Sequence, residues 1–154
     1  MHVLSWAYQS KGRDVLETLC HANAVAVDRQ GVLITGASGR GKSALSLQLM
    51  SLGAQLIADD QTHLRLTGDD VWASPPPAIA GLIEARGVGI LQADHTKARI
   101  ALVIDLDQHE SARFPQHHRA AILGQSFPCL HKVDNQAWPA SILQYLKGGR
   151  REPQ

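Results

Sequence analysis

Residues 36–50 read GASGRGKSALSLQLM, and this stretch decides the fold class of the chain. Its first eight residues match the pattern G-x-x-x-x-G-K-[ST]. In that pattern, the backbone N–H groups of a glycine-rich turn and of a helix start surround phosphate oxygens. The lysine reaches the β- and γ-phosphates, and the hydroxyl group binds Mg²⁺. The residues predicted to bind ATP, with Mg²⁺ at Ser43, are Gly36, Ala37, Ser38, Gly39, Arg40, Gly41, Lys42 and Ser43.

The sequence next to this loop predicts a hairpin before it and a helix after it. The β-prone runs AVAV (24–27) and VLIT (32–35) are joined by the turn-forming residues DRQG. After the loop, Leu45, Leu49 and Leu52 recur at helical spacing, and Gly53 is a common helix stop. The loop is therefore expected to connect an antiparallel pair of strands to a helix of about ten residues.

The rest of the chain predicts more strands and one closing helix. QLIAD (55–59) is typical of a strand, and THLRL with VWAS around the turn TGDD is typical of a second hairpin. RIALVID (99–105) predicts a buried strand with an acidic end, and PASILQYLKGG (139–149) predicts a helix. Two hairpins around one early helix favour an α/β fold with a mixed sheet.

Composition limits the number of domains and the classes of partner. A chain of 154 residues that is 44% hydrophobic suits one domain, predicted over residues 1–147, with a disordered tail at 148–154. A net charge of +1 gives no long-range field to hold nucleic acid or an anionic membrane. Two cysteines are too few for a disulfide framework, and no apolar run approaches the roughly 18 residues of a membrane span. These features predict a cytoplasmic protein that binds neither nucleic acid nor membrane.

A phosphate loop also needs a carboxylate, and two strand ends offer one. Asp59 and Asp60 follow the loop helix directly, on a strand that can return beside the loop strand, whereas Asp105 ends the later buried strand. Neighbouring residues on a strand point to opposite faces, so one member of the Asp59 and Asp60 pair is expected to face the phosphate. A carboxylate there can accept the proton of an attacking hydroxyl group or of water, so its presence alone leaves kinase and hydrolase chemistry open.

Two motifs together resemble a known family. GASGRGKSALSLQLMSLGAQLIADD, followed by GLIEARGVGIL (81–91), resembles the catalytic domain of the bacterial HPr kinase/phosphorylase family, over roughly residues 21–91. The resemblance implies a mixed sheet with a phosphate loop, related to phosphoenolpyruvate carboxykinase. It also implies phosphorylation, with Mg-ATP, of a serine of HPr, the small phosphocarrier of the phosphotransferase system. Many family members also reverse this reaction, using inorganic phosphate.

The resemblance implies roles for further residues. His21 stands where the family has a histidine before the hairpin, and it would help position the acid or the phosphate. Glu84 resembles the second metal carboxylate, and Arg86 would add positive charge near the transferred group. Arg113 is matched more loosely to a family arginine. The general base falls in the Asp59 and Asp60 pair, with either member open.

The chain also departs from the family pattern. Family members usually carry a regulatory domain before the catalytic one, and here about twenty residues precede His21, which is expected of a short form. The proline- and arginine-rich loop linked to the phosphorylase reaction has no clear counterpart, because PCLHKVDNQAWPAS (128–141) offers Lys132 but no arginine. The phosphorylase reaction is therefore left open. By family analogy the protein is expected to be a hexamer.

Three other interpretations stand beside the kinase. The first is a nucleotide hydrolase or small-molecule kinase organised by Asp105, and the second is a nucleotide-sensing module without turnover. The third is a metal site built from His109, His117 and His118 with Asp105 and Asp107. DQHESARFPQHHR lacks standard ligand spacing, so for this segment a solvated loop is favoured.

Overall fold

The computed structural model describes residues 2–3, 8–11 and 15–153. It contains thirteen strands and two helices. The strands are β1 (His2–Val3), β2 (Tyr8–Lys11), β3 (Val15–Cys20), β4 (Asn23–Val27), β5 (Gln30–Thr35), β6 (Gln55–Ala58), β7 (Thr62–Thr67), β8 (Asp70–Ser74), β9 (Leu82–Ala85), β10 (Gly89–Gln92), β11 (Ala98–His109), β12 (His118–Ile122) and β13 (Gln125–Lys132). The helices are α1 (Lys42–Ser51) and α2 (Trp138–Gly148), and a single 3-10 turn covers Pro77–Ile79. Helix α1 lies between the two predicted hairpins, β4 with β5 and β7 with β8.

Eleven of the described strands form one mixed sheet, and β9 with β10 forms a separate hairpin. The twelve-residue strand β11 lies at the centre of the mixed sheet, because it pairs with three other strands, β8, β5 and β13. The pairings of β11 with β5 and with β13 are parallel, whereas β4 with β5 and β7 with β8 are antiparallel hairpins. The predicted mixed α/β sheet is therefore confirmed.

One predicted pairing is wrong. The strand after the loop helix, β6, pairs with β4 and not with the loop strand β5. Both edges of β5 are already occupied, one by β4 and the other by β11. The aspartates after β6 therefore reach the loop from across β4, and β11 brings Asp105 opposite Thr35, the last residue of β5.

The core has two parts, one on each side of the sheet. Strand alternation divides the buried residues, so Val32 and Ile34 face the helices while Leu33 faces the opposite side. On the helix side, Leu45 and Leu49 of α1 are buried with three residues of α2, namely Ile142, Leu143 and Leu146.

Leu52 is an exception to the predicted stripe of α1. The helix ends at Ser51, and the side chain of Leu52 is half exposed. The second helix extends to Gly148, one residue into the predicted tail, and Gln154 of that tail lies outside the described residues. No helix within residues 2–3, 8–11 and 15–153 is long and apolar enough to cross a membrane.

Several strands were not predicted. The hairpin of β9 and β10 carries the EARGVG motif, and β12 and β13 cover much of a segment that sequence patterns left as loop. His118 is part of β12 and is half-buried, which corrects the expectation of a solvated loop at that residue. The physical reason is the antiparallel pairing of β12 with β13, which covers one side of the strand.

Candidate active site at the glycine-rich loop

The glycine-rich loop, residues 36–43, connects β5 to α1 and folds around a lysine side chain. Gly36 has a φ of +151°, and a Cβ placed there would lie 3.1 Å from the Cβ of Leu106. Glycine is required at this position by both backbone conformation and space. Lys42 begins α1 and is largely buried, and its Nζ donates to the carbonyl oxygens of Gly36 (2.7 Å) and Ala37 (3.2 Å). The ammonium group is thus held at the centre of the loop.

The far end of β11 holds the loop from the other side. The backbone N–H of Ala37 donates to Asp107 Oδ1 at 3.1 Å, and Arg40 Nε lies 3.2 Å from the same oxygen. Asp107 was not predicted to contact the glycine-rich loop, and from the sequence it was considered only for the disfavoured metal site. Asp105, the carboxylate of the alternative hydrolase, is 1% exposed, and its Oδ1 accepts a hydrogen bond from Asp107 N.

Asp59 is the centre of a buried hydrogen-bond network below the loop. Its Oδ1 accepts from the hydroxyl group of Ser43 (2.6 Å) and from Asn23 Nδ2 (2.7 Å). Its Oδ2 accepts from the backbone N–H of Glu84 at 2.9 Å. Three donors therefore hold this carboxylate, which is 9% exposed, directly behind the serine of the loop motif. A buried charged acceptor is tolerated because donors replace the water that it loses.

Asn23, which was not predicted from the sequence, connects the Asp59 network to the following residue, Asp60. Its Oδ1 accepts the backbone N–H of Asp60 (2.9 Å), and its Nδ2 also donates to Ser46 Oγ at 3.0 Å. Because a backbone N–H can only donate, this bond fixes the orientation of the amide group. Asn23 is fully buried at the start of β4. The available signal in the sequence was a polar residue at the start of an apolar run, because a polar side chain that is buried there needs hydrogen-bond partners.

Asp60 lies beside Asp59 but in a different environment. Its backbone has a φ of +69°, a left-handed conformation that turns the chain after β6. The side chain is exposed, and its Oδ1 lies 3.2 Å from Nδ1 of His21. The histidine and the aspartate were both predicted site residues, and the structure brings them into contact.

Glu84 and Arg86 reach the site on the separate hairpin. Glu84 lies on β9, and Arg86 lies in the turn between β9 and β10. The hydrogen bond from Glu84 N to Asp59 attaches this hairpin to the buried network. Both residues line a cavity of about 610 Å³ together with the loop and Asp60. This volume lies in the range of small-molecule sites.

The cavity collects most of the predicted residues. It is lined by Asn23, Ser38, Gly39, Gly41, Lys42, Ser43, Ala44, Leu47, Asp60, Glu84, Ala85, Arg86 and Val88. Gly36, Ala37 and Arg40 belong to the same loop but contact Lys42 and Asp107. Arg113 is not brought to this cavity. It is exposed in the connection between β11 and β12, where its guanidinium lies 5.1 Å from the centre of the Phe114 ring.

The thiol next to His21 is not suited to nucleophilic chemistry. Cys20 is 1% exposed, and burial raises the pKa of its thiol well above the ordinary value. The positive charge of Lys42 lowers that pKa but does not offset the effect of burial. Because the thiolate is the reactive form, the nucleophilic and acid–base chemistry of the site is left to carboxylate and imidazole groups.

The sequence and the fold of this chain are similar to those of known proteins. The family model described as "HPr Serine kinase C-terminal domain" matches residues 15–122 of the chain. The chain belongs to this family. The match includes the glycine-rich loop, both aspartates and the β9–β10 hairpin.

Curated relatives of the family are longer than the matched region. An HPr kinase/phosphorylase of Geobacillus kaustophilus is 41% identical over 99 residues, which is 58% of this chain and 32% of the relative. One from an Exiguobacterium species is 35% identical over 105 residues, or 62% of this chain and 34% of the relative. The chain thus matches about a third of the length of these relatives.

A solved structure shares the fold over most of both chains. The HPr(Ser) kinase/phosphatase from Coxiella burnetii is 27% identical to this chain and superposes with a TM-score of 0.71. The superposition covers 84% of this chain and 88% of that one. The mixed α/β architecture is therefore shared with a member of the family.

Proposed function

We propose that this chain is the catalytic domain of an ATP-dependent protein kinase that phosphorylates a serine of HPr. The observation that carries the proposal is the pairing of two unlike carboxylates at one cavity. Asp59 is buried against Ser43 of the loop, while Asp60 faces the cavity beside His21. A phosphoryl-transfer site needs both roles, one to organise metal and phosphate and one to accept a proton.

The residues around Ser43 suit Mg²⁺. The donors available there are all oxygens, from Ser43, Glu84 and the Asp59 carboxylate behind the serine. Mg²⁺ prefers such hard oxygen ligands and usually retains several waters. Ser43 and Glu84 would hold the ion, with Asp59 fixing the serine hydroxyl group. The ion would neutralise charge on the phosphates of ATP.

Asp60 is proposed as the general base. It is exposed at the cavity, so an incoming serine hydroxyl group can reach it, whereas Asp59 is buried behind Ser43 and both of its oxygens already accept hydrogen bonds. As the serine oxygen bonds to the γ-phosphorus, its proton passes to Asp60 and the bond to ADP breaks. The imidazole of His21 holds the carboxylate in place and can share the proton.

Positive charge in the cavity would stabilise the transferring group. Lys42 now donates to two loop carbonyls, and phosphate oxygens would compete for the same ammonium group. Arg86 lines the same cavity, in the turn of the hairpin that is attached to Asp59. Fixed cations of this kind offset the charge that develops on the phosphoryl oxygens.

The names of the relatives support the substrate and the reverse reaction to different degrees. Each of the three relatives above is named for kinase activity on HPr, which supports the same phosphate acceptor here. Their names also include phosphorylase or phosphatase activity. Regulation of a phosphotransferase system, a cytoplasmic location, a hexamer and a core related to phosphoenolpyruvate carboxykinase stay predictions from the family resemblance.

The test is transfer of labelled phosphate from ATP to purified HPr. The wild-type chain is expected to label HPr on serine, and Asp60→Asn is expected to abolish labelling while retaining nucleotide binding. Asp28→Asn is a matched control, because Asp28 is also exposed and left-handed (φ +48°), at the other end of β5. Asparagine tolerates this conformation well, so both substitutions preserve the backbone.

Other outcomes identify the alternatives. Phosphate release from ATP at the same rate with and without HPr, lost in Asp105→Asn, would indicate the hydrolase. ATP binding without turnover would indicate the sensing module. Incubating phosphoserine-HPr with inorganic phosphate tests the reverse reaction in the same preparation. Full labelling of HPr by Asp60→Asn would refute the assignment of the base.

A further inference from the structure

A second group of chemistry-bearing side chains lies outside the cavity described above. Glu110 follows β11, His118 begins β12, and His131 lies near the end of β13. One ligand atom of each residue lies within 4.8 Å of those of the other two. Within the described parts of the chain, no other group of three or more His, Cys, Asp or Glu side chains is this close. All three residues are half-buried.

The sheet fixes the positions of these residues. Backbone N–H of Glu110 donates to the carbonyl oxygen of Lys132 at 2.9 Å, which ties the end of β11 to β13. His118 is paired with Cys129 in the antiparallel register, and His131 lies two residues further along the same strand. Side chains two residues apart on a strand share a face, so both imidazoles stand on one face of the sheet.

The side chains already contact one another. His118 Nε2 lies 2.8 Å from Glu110 Oε1, and the rings of His118 and His131 are stacked with centroids 3.8 Å apart and planes at 11°. The chain thus gathers two imidazoles, from β12 and β13, and one carboxylate, from the residue that follows β11.

We propose that Glu110, His118 and His131 form a binding site for a divalent first-row transition metal, with Zn²⁺ as the preferred ion. Two imidazoles and a carboxylate are a common zinc donor set, which leaves a fourth position for water. Mg²⁺ is disfavoured because it takes oxygen ligands and demands octahedral geometry. The site is distinct from the oxygen-lined Mg²⁺ site proposed at Ser43, and its existence does not depend on the kinase activity.

Metal binding requires a small movement that this site can make. At bond lengths of about 2.0–2.2 Å, ligand atoms around a tetrahedral ion are roughly 3.3 Å apart, so distances that are now at most 4.8 Å must change by no more than about 1.5 Å. The lone pairs of stacked rings lie in parallel planes, so the two imidazoles must tilt toward each other to share an ion. The His118 side chain is 32% exposed, which gives the ion a route in and the ring room to turn.

The proposed metal site lies where the connection between β11 and β12 begins and ends. Residues 111–117 join β11 to β12, and Glu110 and His118 are the residues on either side of them. That connection carries Arg113 and leaves β11 three residues after Asp107, which holds the glycine-rich loop. An ion shared by Glu110, His118 and His131 would therefore cross-link three strands and stabilise the folded chain, since binding to the folded state alone raises its stability.

The chain supplies its own controls. His117 lies 2.7 Å from Glu152, and His109 lies 3.6 Å from Asp134, so each repeats the histidine–carboxylate pair. Neither belongs to a group of three ligands among the described residues. Both histidines are more exposed than His118. Substitution of His117 removes the same chemical group from the same segment without touching the proposed site.

The experiment measures Zn²⁺ binding by the whole chain in excess Mg²⁺. Equilibrium dialysis against a chromogenic chelator gives stoichiometry and affinity, and the visible spectrum with Co²⁺ reports nitrogen and oxygen ligation. We expect one equivalent for the wild type and for His117→Ala. Loss of a residue that only hydrogen-bonds to a metal ligand costs roughly 10–100-fold in affinity, so His118→Ala and His131→Ala, which remove ligands, are each expected to lose at least about 100-fold.

Folding must be checked in the same samples. Far-ultraviolet circular dichroism and thermal unfolding without metal show whether each variant is native, and His118→Gln serves if His118→Ala is not. Zn²⁺ is expected to raise the midpoint of unfolding for the wild type and His117→Ala only. Equal Zn²⁺ affinity in the wild type and in folded His118 and His131 variants would overturn the proposal. So would the lack of any stoichiometric Zn²⁺ binding by the wild type.

Discussion

The proposed active site has a buried half and an exposed half, and the division runs between adjacent residues. Asp59 is 9% exposed and accepts hydrogen bonds from Ser43, Asn23 and the Glu84 backbone. The side chain of Asp60 is 66% exposed and contacts His21. Two carboxylates that look equivalent in the sequence therefore have different capacities. One is held as an acceptor of fixed donors, and the other is free to receive a proton from solvent or substrate.

The difference arises from the end of a strand. β6 stops at Ala58, so Asp59 is the first residue after it and still lies under the loop. The left-handed backbone of Asp60 then turns the next side chain out to the cavity. Asn23 holds both residues, because its amide donates to the Asp59 carboxylate and accepts from the Asp60 backbone. A single buried amide group thus fixes the boundary between the two halves.

The largest expected effect is on turnover, from the exposed half. Asp60→Asn removes the proposed base and is expected to lower kcat for phosphorylation of HPr by about 10²–10⁴-fold, the usual contribution of a general base. The dissociation constant for Mg-ATP and the midpoint of unfolding should not change, because Asp60 makes no buried hydrogen bond through its carboxylate. Steady-state kinetics measure kcat, nucleotide titrations measure the dissociation constant, and thermal unfolding measures the midpoint. A fall in nucleotide affinity equal to the fall in kcat would place Asp60 in the binding half instead.

Asp59→Asn is expected to affect stability and metal-dependent binding together. The asparagine Oδ1 can keep the bonds from Ser43 and Asn23, but its Nδ2 must then face the N–H of Glu84, donor against donor. An unsatisfied buried donor and the loss of charged hydrogen bonds should cost about 3 kcal/mol of unfolding free energy. Urea unfolding measures this, and the Mg²⁺ dependence of ATP binding should weaken in parallel. Asp28→Asn, in an exposed turn, should match the wild type in both assays.

Asn23→Ala tests the boundary itself. It removes two donors and one acceptor in a buried site, leaving the backbone N–H of Asp60 and one bond of Asp59 without their partner. We expect a loss of about 2 kcal/mol of unfolding free energy. The value of kcat should also fall, because the backbone of Asp60 loses the hydrogen bond to Asn23 that positions it. Gln48→Ala, which removes an exposed amide from α1, should stay within about 0.5 kcal/mol of the wild type. Equal effects of the two substitutions would show that the Asn23 network is dispensable.

The local parts of the site could be predicted from the sequence, whereas its long-range contacts could not. The loop and α1 follow a fixed spacing of glycine, lysine and serine between a β-prone run and helical leucines, so neighbouring residues contain the whole signal. Asn23 contacts Ser43, Asp59 and Asp60, which are 20 to 37 residues away. Its role depends on β6 pairing with β4, and the sequence favoured β5 instead.

Other misses have equally physical causes. β10 gives no buried alternation, because its residues are exposed apart from half-buried Leu91, and Ile90 is 71% exposed. Pro128 lies inside β13, and proline is usually a sign against a strand. His131 was consequently left in a loop, so its approach to His118 and Glu110 could not be seen. The register between strands determines which residues meet, both in the Asp59 network and in the group of Glu110, His118 and His131. That register is set by packing that no short motif contains.

The smallest expected effect concerns the two buried cysteines, one of which, Cys20, directly precedes half-exposed His21. Burial raises the pKa of the Cys20 thiol, and burial with nearby Asp105 raises the pKa of Cys129 to about 12, from an ordinary value of about 9. The folded chain thus holds thiol protons that the unfolded chain releases, so stability is full below pH 9 and falls as the pH rises toward 12. At pH 9 the loss is roughly 0.4 kcal/mol for each thiol. Urea unfolding at pH 7, 8 and 9 measures it, with the Cys20→Ala, Cys129→Ala double variant as the reference for all other titrating groups. A wild-type pH slope identical to that of the double variant would mean that both thiols ionise as easily in the folded chain as in the unfolded one, and the buried half of the site would then be wetter than its geometry implies.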